Sequence, residues 1–396
     1  MSRHLGAAAL VAILVALLSI RLTQFRDFQM AQVAVYVTAV AGLTVLTGLS
    51  GQISLGNGAF MAIGGYGTAL LLLHLAWPLA AVLAASAAIA ALAGALVGAA
   101  TARLHGPYLA GATLLLAVAL PSLTYKYPGV FGGEQGLNVT VSAPGSVPLT
   151  RWQAWITCGC ALLTLVLLAN LSASRIGRNW RAVRDDEVAA ALAGVNVAWA
   201  RILAFVVSAA CAGLAGSLLA VTTGLVAPTD FTVTLSVALL TGAVIGGLGS
   251  LAGAVWGSLL VVLVPTYATD VATSHGLSSA VGSNIPVAAY GVVLIVVMLV
   301  FPNGIQGGLR RLAARVVPSP RRDEPVPAEM NNTAVRNASR EASHEEIPKT
   351  PARRRARGRI GGGGRRLRLL EHERQQQLGR ADGLGAGDHQ QRDPDR

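Results

Sequence analysis

Charge is what this 396-residue chain has least of: Asp, Glu, Lys and Arg make up 13% of it, while 53% of its residues are apolar. A soluble domain carries about 25% charged residues. The few charges are also unevenly placed. Residues 1–315 hold 14 Lys/Arg and 7 Asp/Glu, whereas residues 316–396 hold 17 and 12. The first part is too apolar for a surface in water, and the second is too polar to build a core. A soluble globular enzyme is excluded for most of the chain. The expected fold is an all-α integral membrane domain over 1–315 with a disordered polar and basic tail over 316–396.

Three further scarcities narrow the function. The only cysteines, Cys158, Cys160 and Cys211, all sit inside apolar runs, which suits a small apolar residue better than a disulfide or a metal ligand. No G-x-x-x-x-G-K-[ST] phosphate loop occurs, so the chain is not expected to hydrolyse ATP itself. No apolar run has a carboxylate or histidine at its centre, where a proton- or sodium-coupled transporter would ordinarily place one. The net charge of +12 needs no nucleic acid. Basic loops beside a bilayer account for it.

What the chain does have is long apolar segments. About 20 residues at about 1.5 Å each cross the roughly 30 Å of hydrocarbon. Ten candidates stand at 5–20, 31–47, 59–75, 79–101, 107–124, 152–171, 202–223, 232–248, 251–265 and 286–301, none containing Lys, Arg, Asp or Glu. The stretch GGLGS (246–250) barely separates two of them. One continuous helix of about 34 residues there would be about 51 Å long, so two crossings fit better. Residues 1–20 could also be a signal peptide, but Ile20, Arg21 and Leu22 offer no small-x-small cleavage site, so an uncleaved first span is expected. With both termini inside, the inner loops hold Arg3, Arg103, Arg175, Arg178, Arg181, Arg184, Arg201, Arg310, Arg311 and Arg315. The outer loops then hold only Arg21, Arg26, Lys126 and Arg151. Excess positive charge marks the cytoplasmic side, which calls for an even number of spans and both termini cytoplasmic.

Glycine recurs at helical spacing: Gly94 with Gly98, Gly242 with Gly246, and Gly249, Gly253 and Gly257 in series. Small residues four apart let helix backbones approach closely, so Gly246, Gly249, Gly253 and Gly257 are candidates for tight packing, with lining of a pathway as the alternative. The stretch GLSGQISLGNGAF (48–60) differs. Gly48, Gly51, Gly56 and Gly58 each cost a helix about 1 kcal/mol against alanine. Gln52, Ser54 and Asn57 put polar groups at an apolar depth, with Phe60 following. Irregular backbone survives at that depth only when protein or a water-filled cavity satisfies it. A broken segment lining a pathway fits these residues, and a plain turn between spans is the alternative.

The longest inner loop before the tail reads SRIGRNWRAVRDDEVAAALAGVNVAWAR (174–201). Arg178, Arg181 and Arg184 recur every third residue, followed by Asp185, Asp186 and Glu187, then an alanine-rich turn ending at Gly194. Arg181 with Asp185, and Arg184 with Glu187, would share helix faces. Gly194 is placed to stop the helix. A short charged helix along the membrane surface is expected.

That order resembles the cytoplasmic coupling loop of ABC importer permeases, the Glu-Ala-Ala…Gly motif that docks into an ATPase subunit. Continued through AFVVSAACAGLAGSLLA (204–220), it resembles the LivM-type permeases of branched-chain amino acid importers. GLTVLTGLSGQISLGNGAFMAIGGYGTALL (42–71), VTLSVALLTGAVIGGLGSLAGAVWGSLLV (233–261) and YGVVLIVVMLVFPNGIQGGLRRL (290–312) are similar to the same family, over about residues 5–315. Asp186 and Arg201 depart modestly from its pattern without removing a charge. The resemblance implies a multi-pass permease subunit of the bacterial inner membrane, not itself an enzyme and without a cofactor of its own. It implies partners as well: a second homologous permease, two ATPase subunits that bind the ATP, and an extracytoplasmic amino-acid-binding protein. Arg175, Gly177, Arg178, Arg181, Arg184, Asp185, Asp186, Glu187, Ala189, Ala190 and Gly194 would form the coupling loop. An ATP-independent transporter or channel is the alternative function.

The tail contains no sign of a fused ATPase. Residues 352–396 lack Ser, Thr, Val, Phe, Tyr, Trp, Asn, Cys, Met and Lys altogether. Arg353, Arg354, Arg355, Arg357 and Arg359 could lie on anionic headgroups at about 1 kcal/mol each. A GC-rich gene read out of frame explains the missing residue types better.

Overall fold

In the computed structural model, residues 23–274 are described apart from 76, 102–106 and 146, together with parts of 291–316. The chain divides into one compact unit over Met1–Ser319 and another over Pro320–Arg396, and every described residue belongs to the first. Of the ten expected spans, 5–20 lies outside the described residues and 286–301 largely so, as does the tail beyond 316.

The other eight expected segments are all helices. They are α1 (Gln24–Leu43), α2 (Asn57–His74), α3 (Leu79–Thr101), α4 (Pro107–Lys126), α5 (Leu149–Ala173), α8 (Val197–Thr223), α9 (Val233–Gly246) and α10 (Leu251–Ser274). The loop between α5 and α8 forms α6 (Arg175–Asp185) and α7 (Glu187–Leu192), and α11 (Gly304–Val316) ends the described chain. A widened π-type turn, Thr44–Leu49, continues α1. Among the described residues, the only strands are a two-residue antiparallel pair, β1 (Leu137–Asn138) with β2 (Leu225–Val226). Among the described residues, six helices are long and apolar enough to cross a membrane: Gln24–Leu49, Leu79–Ala100, Tyr108–Lys126, Leu149–Ala173, Val197–Thr223 and Leu251–Val271. The 14 residues of α9 rise only about 21 Å, short of a full crossing.

The helix α8 is the centre of the bundle, packed against α3, α2 and α1, while α5 lies on α1 and α10 pairs with α9 and α1. Apolar lipid gives helices little reason to associate, so small residues and close backbone approach must do it. Along α8, Ala204, Ala209, Ala212, Gly213, Ala215 and Gly216 are buried. Hydroxyls inside the bundle donate to their own helix: Thr38 to the Ala34 carbonyl at 3.0 Å, Thr44 to Val40 at 2.8 Å and Ser258 to Ala254 at 2.7 Å. Each removes an otherwise unpaired buried donor.

The helix ends sort into two groups. At one end Gly48 meets Gly249, Gly304 meets Gly247, and Trp180 donates to the Ala200 carbonyl at 2.8 Å. At the other, Asp27 pairs with Arg151 at 3.5 Å, Leu137 pairs with Val226, and Tyr66 meets Phe131 edge to face. Successive helices α1 to α5 and α8 to α10 therefore alternate in direction.

Candidate functional site

Two of the sequence candidates, the charged loop and the 48–60 segment, come together at one end of the bundle. The loop is two helices rather than one. Asp186 interrupts it: its backbone is extended, and its Oδ1 accepts from the Val188 and Ala189 amides at 2.8 and 3.0 Å, so it caps α7. Gly194 ends α7 as expected, at φ +85°, with Gly194 N–H donating to Ala191 and Val195 N–H to Ala190, both at 3.0 Å. That pairing is a Schellman cap. The expected pairs Arg181–Asp185 and Arg184–Glu187 do not form. Arg181 donates instead to the Gly177 and Ser172 carbonyls, Arg184 holds Asp185 at 3.1 Å, and Glu187 pairs with Arg201. The break at Asp186 turns Glu187 off the face that carries Arg184, and Arg201 is there to meet it.

Gly177, Trp180 and Val183, three apart, form the buried face of α6, and Ala190 is buried on α7. The Gly177 backbone lies against Ser172, leaving no room for a side chain at the α5–α6 corner. Arg175, Arg178, Arg181, Arg184, Asp185, Asp186, Ala189 and Gly194 face outward. So do Val188 and Leu192, at 70% and 85% exposed. These two and Trp180 were missed by charge-based reasoning. Val188 and Leu192, four apart on one face of α7, are the readable signal.

The 48–60 segment is broken, as expected. After the π-type turn, Gly51 takes φ +74°, and residues 51–54 run without helix until α2 begins at Asn57. Gln52 sits by the Arg201 carbonyl at 3.4 Å, and Asn57 by Ser208 at 3.5 Å, seven residues further along α8. The strap thus climbs about 10 Å into the bundle before α2 starts. Side chains of other helices hold its backbone: Leu55 N–H donates to Thr113 Oγ1 and Gly58 N–H to Ser236 Oγ, both at 3.0 Å, while Gly56 N–H donates to Ser54 Oγ at 3.2 Å. Gly56 itself packs on Thr113. Gln52, Ser54, Asn57 and Phe60 point into the protein, and Asn57 is 1% exposed. Gly51 and Ile53 point out, Ile53 at 48% exposed. The strap is polar inward and apolar outward, the reverse of a strand in water.

The packing glycines divide. Gly246 lies against Gly253 and Gly257 against Gly242, so α9 and α10 touch backbone to backbone. Gly249 is not part of that stripe: it lies in the turn between the helices, at φ +87°, against Gly48. Gly94 and Gly98 seat α3 on Ala209 and Phe205 of α8. A tighter seam, Gly64 on Gly213 and Gly216 on Met61, joins α2 to α8. Its spacing of three on one helix gave no pattern to read. Cys158, Cys160 and Cys211 are free thiols.

Over residues 25–302 the chain matches the family described as branched-chain amino acid transport system, permease component. The chain belongs to this family of permeases. The matched region takes in every helix from α1 to α10. Among its relatives, the high-affinity branched-chain amino acid transport system permease protein LivM of Salmonella typhimurium is 31% identical over 262 residues, 58% of this chain and 60% of that protein. LivM of Escherichia coli has the same identity and coverage. LivH of Escherichia coli is 32% identical over 190 residues, 48% of this chain and 56% of that protein. The permease thus spans about 60% of the length of the LivM relatives. The solved structure of PsaBC from Streptococcus pneumoniae in complex with Fab covers 74% of this chain and 96% of its own, at 16% identity and a TM-score of 0.43. As a permease with six membrane-length helices, the chain is a multi-pass inner-membrane protein.

Proposed function

We propose that this permease is the membrane subunit of an ATP-driven ABC importer moving branched-chain or related amino acids into the cytoplasm by alternating access. It works with a second, homologous permease, two ATPase subunits and an extracytoplasmic binding protein, and ATP binds to the ATPases. The substrate class follows the relatives, which are permease proteins of branched-chain amino acid systems. The orientation follows the charges. The end that carries the loop holds Arg175, Arg178, Arg181, Arg184, Arg201 and Arg311, against Arg26, Lys126 and Arg151 at the other. A positive cytoplasmic side supports ten crossings with both termini inside.

The observation that carries the proposal is the geometry of the loop. Trp180 and Val183 fix α6 to the bundle, α7 holds Val188 and Leu192 out in the open, and Arg184 reaches back to the strap. An apolar knob on a charged, firmly seated loop suits docking into a partner that must push it. The outward face of the strap, Gly51 and Ile53, is placed to line the pathway, while Gln52, Ser54 and Asn57 anchor it. To test this, the permease would be co-expressed with its partner subunits and reconstituted into proteoliposomes loaded with ATP, and uptake of labelled leucine followed. The expected result is uptake that needs ATP and an ATPase co-purifying with the permease. Leucine uptake that proceeds without ATP would sink the proposal.

A further inference from the structure

Of the four arginines spaced along α6, Arg178 and Arg181 are spent on their own corner. Arg178 donates to the Ala173 carbonyl at 3.3 Å, and Arg181 to Gly177 at 3.2 Å and Ser172 at 2.9 Å. Arg184 reaches another element: its Nη1 donates to the carbonyl of Gly48, where the π-type turn ends, while Nε and Nη2 hold Asp185 Oδ1 at 3.2 and 3.1 Å. Its aliphatic stem lies on Gly51. A Cβ there would stand 2.8 Å from Arg184 Cγ, at a φ of +74° that an L-residue adopts poorly. One residue on, Gln52 meets the Arg201 carbonyl, and Arg201 pairs with Glu187 at the start of α7. The strap's first three residues are thus held from α6 on one side and from the α7–α8 junction on the other.

We infer that Arg184 is a positioning residue that transmits movement of the docking loop to the strap 50–56, and so sets where Ile53 stands. This rests on the docking role proposed above. A guanidinium suits the task because it holds the Gly48 carbonyl and the Asp185 carboxylate at the same time in a fixed fork. α6 is firmly seated through Trp180, whereas the strap is held by single hydrogen bonds. A shift of the loop therefore moves the strap first, and with it its exposed apolar side chain, Ile53.

The test uses the assembled importer in proteoliposomes and reads three quantities together: ATPase subunit retained on purification, ATP hydrolysed, and leucine taken up per ATP. Arg184→Gln keeps a donor but loses the charge and the fork. It is expected to lose about tenfold in uptake per ATP hydrolysed, the range of a broken coupling contact. Arg184→Lys should recover part of the loss. Gly51→Ala, which displaces the Arg184 stem from the opposite side, should lower the same ratio. Unchanged uptake per ATP in Arg184→Gln overturns the inference. So does a parallel fall of hydrolysis and uptake, or failure of both the Arg184→Gln and Gly51→Ala proteins to accumulate, since the contact would then serve the fold. If the parent permease retains no ATPase at all, the docking proposal fails first and takes this inference with it.

Discussion

Gly216 on α8 and Gly111 on α4 should respond to the same substitution with opposite signs. In a helix, alanine is favoured over glycine by about 1 kcal/mol. At Gly111 nothing lies within 4 Å of an added Cβ, so Gly111→Ala keeps that gain whole. At Gly216 the Cβ would stand 2.5 Å from the Met61 carbonyl carbon and 2.7 Å from Met61 Cα. Carbon atoms rest about 3.5–4.0 Å apart, so α2 and α8 would have to part by on the order of 1 Å. Overpacking of this kind costs about 1–3 kcal/mol. Parting the seam also stretches the bond from Ser217 Oγ to the Gly64 carbonyl, 3.1 Å, worth about 1 kcal/mol. Net, Gly216→Ala should destabilise by about 1–3 kcal/mol and lower Tm by roughly 2–10 °C, while Gly111→Ala raises it by about 2–4 °C. A thiol-reactive dye in detergent would report unfolding through Cys211, which shares α8 with Gly216 and is buried against Gly42 of α1. Shifts of the same sign, or a higher Tm for Gly216→Ala, would refute the assignment of α2–α8 as a backbone-contact seam.

Gly194→Val should lower uptake with the protein still in the membrane, because φ +85° costs a non-glycine residue about 1–2 kcal/mol while no neighbour is touched; uptake and membrane level measured together check it. A reporter active only in the cytoplasm should work when fused after Arg184 or Arg311 and be silent within 130–148; activity at 130–148 would overturn the orientation. Asp27 is 1% exposed and its carboxylate faces Arg151 at 3.5 Å, so Asp27→Leu or Arg151→Leu alone should cost about 3–5 kcal/mol and the pair together much less, by thermal denaturation in a double-mutant cycle. Deleting 318–396 should leave leucine uptake nearly intact, and a large loss at normal protein level would assign the tail a function.

The eight described spans were legible because an uninterrupted apolar run of that length has few other uses. Their ends were not. α1 begins at Gln24 rather than at 31, α5 at Leu149 rather than 152, and α8 at Val197 rather than 202. In each case the residues passed over include a charge: Asp27, Arg151 and Arg201. Charge ordinarily marks the end of a span, yet here Asp27 pairs with Arg151 and Arg201 with Glu187, so each is tolerated inside a helix. The break at Asp186 was hidden for a related reason. Any carboxylate of the run Asp185–Glu187 can pair with an arginine or cap the next helix, and only the tertiary course of the loop decides that Asp186 does the capping. The α2–α8 seam needed the partner helix to be seen at all. Loop and strap were each found in the sequence, but that they touch was not, because Arg184 and Gly48 are 136 residues apart.

The strap is the weakest-held part of the described bundle, and that bears on how the permease works. Elsewhere the helices meet over glycine and alanine faces that separate only at the cost of many contacts. Between 50 and 58 the backbone N–H groups of Gln52, Leu55, Gly56 and Gly58 rely on the Leu46 carbonyl, Thr113, Ser54 and Ser236 in turn, at about 1 kcal/mol each. Such bonds can be exchanged one at a time for water or for one another. The elements that move in a conformational cycle are drawn from the least stable parts of a fold. A segment tied to the docking loop at one end, opening into a membrane helix at the other, and held between them by a few exchangeable bonds can shift without parting the seams around it. Closer packing at 51–56 would raise stability and, on the same grounds, slow transport.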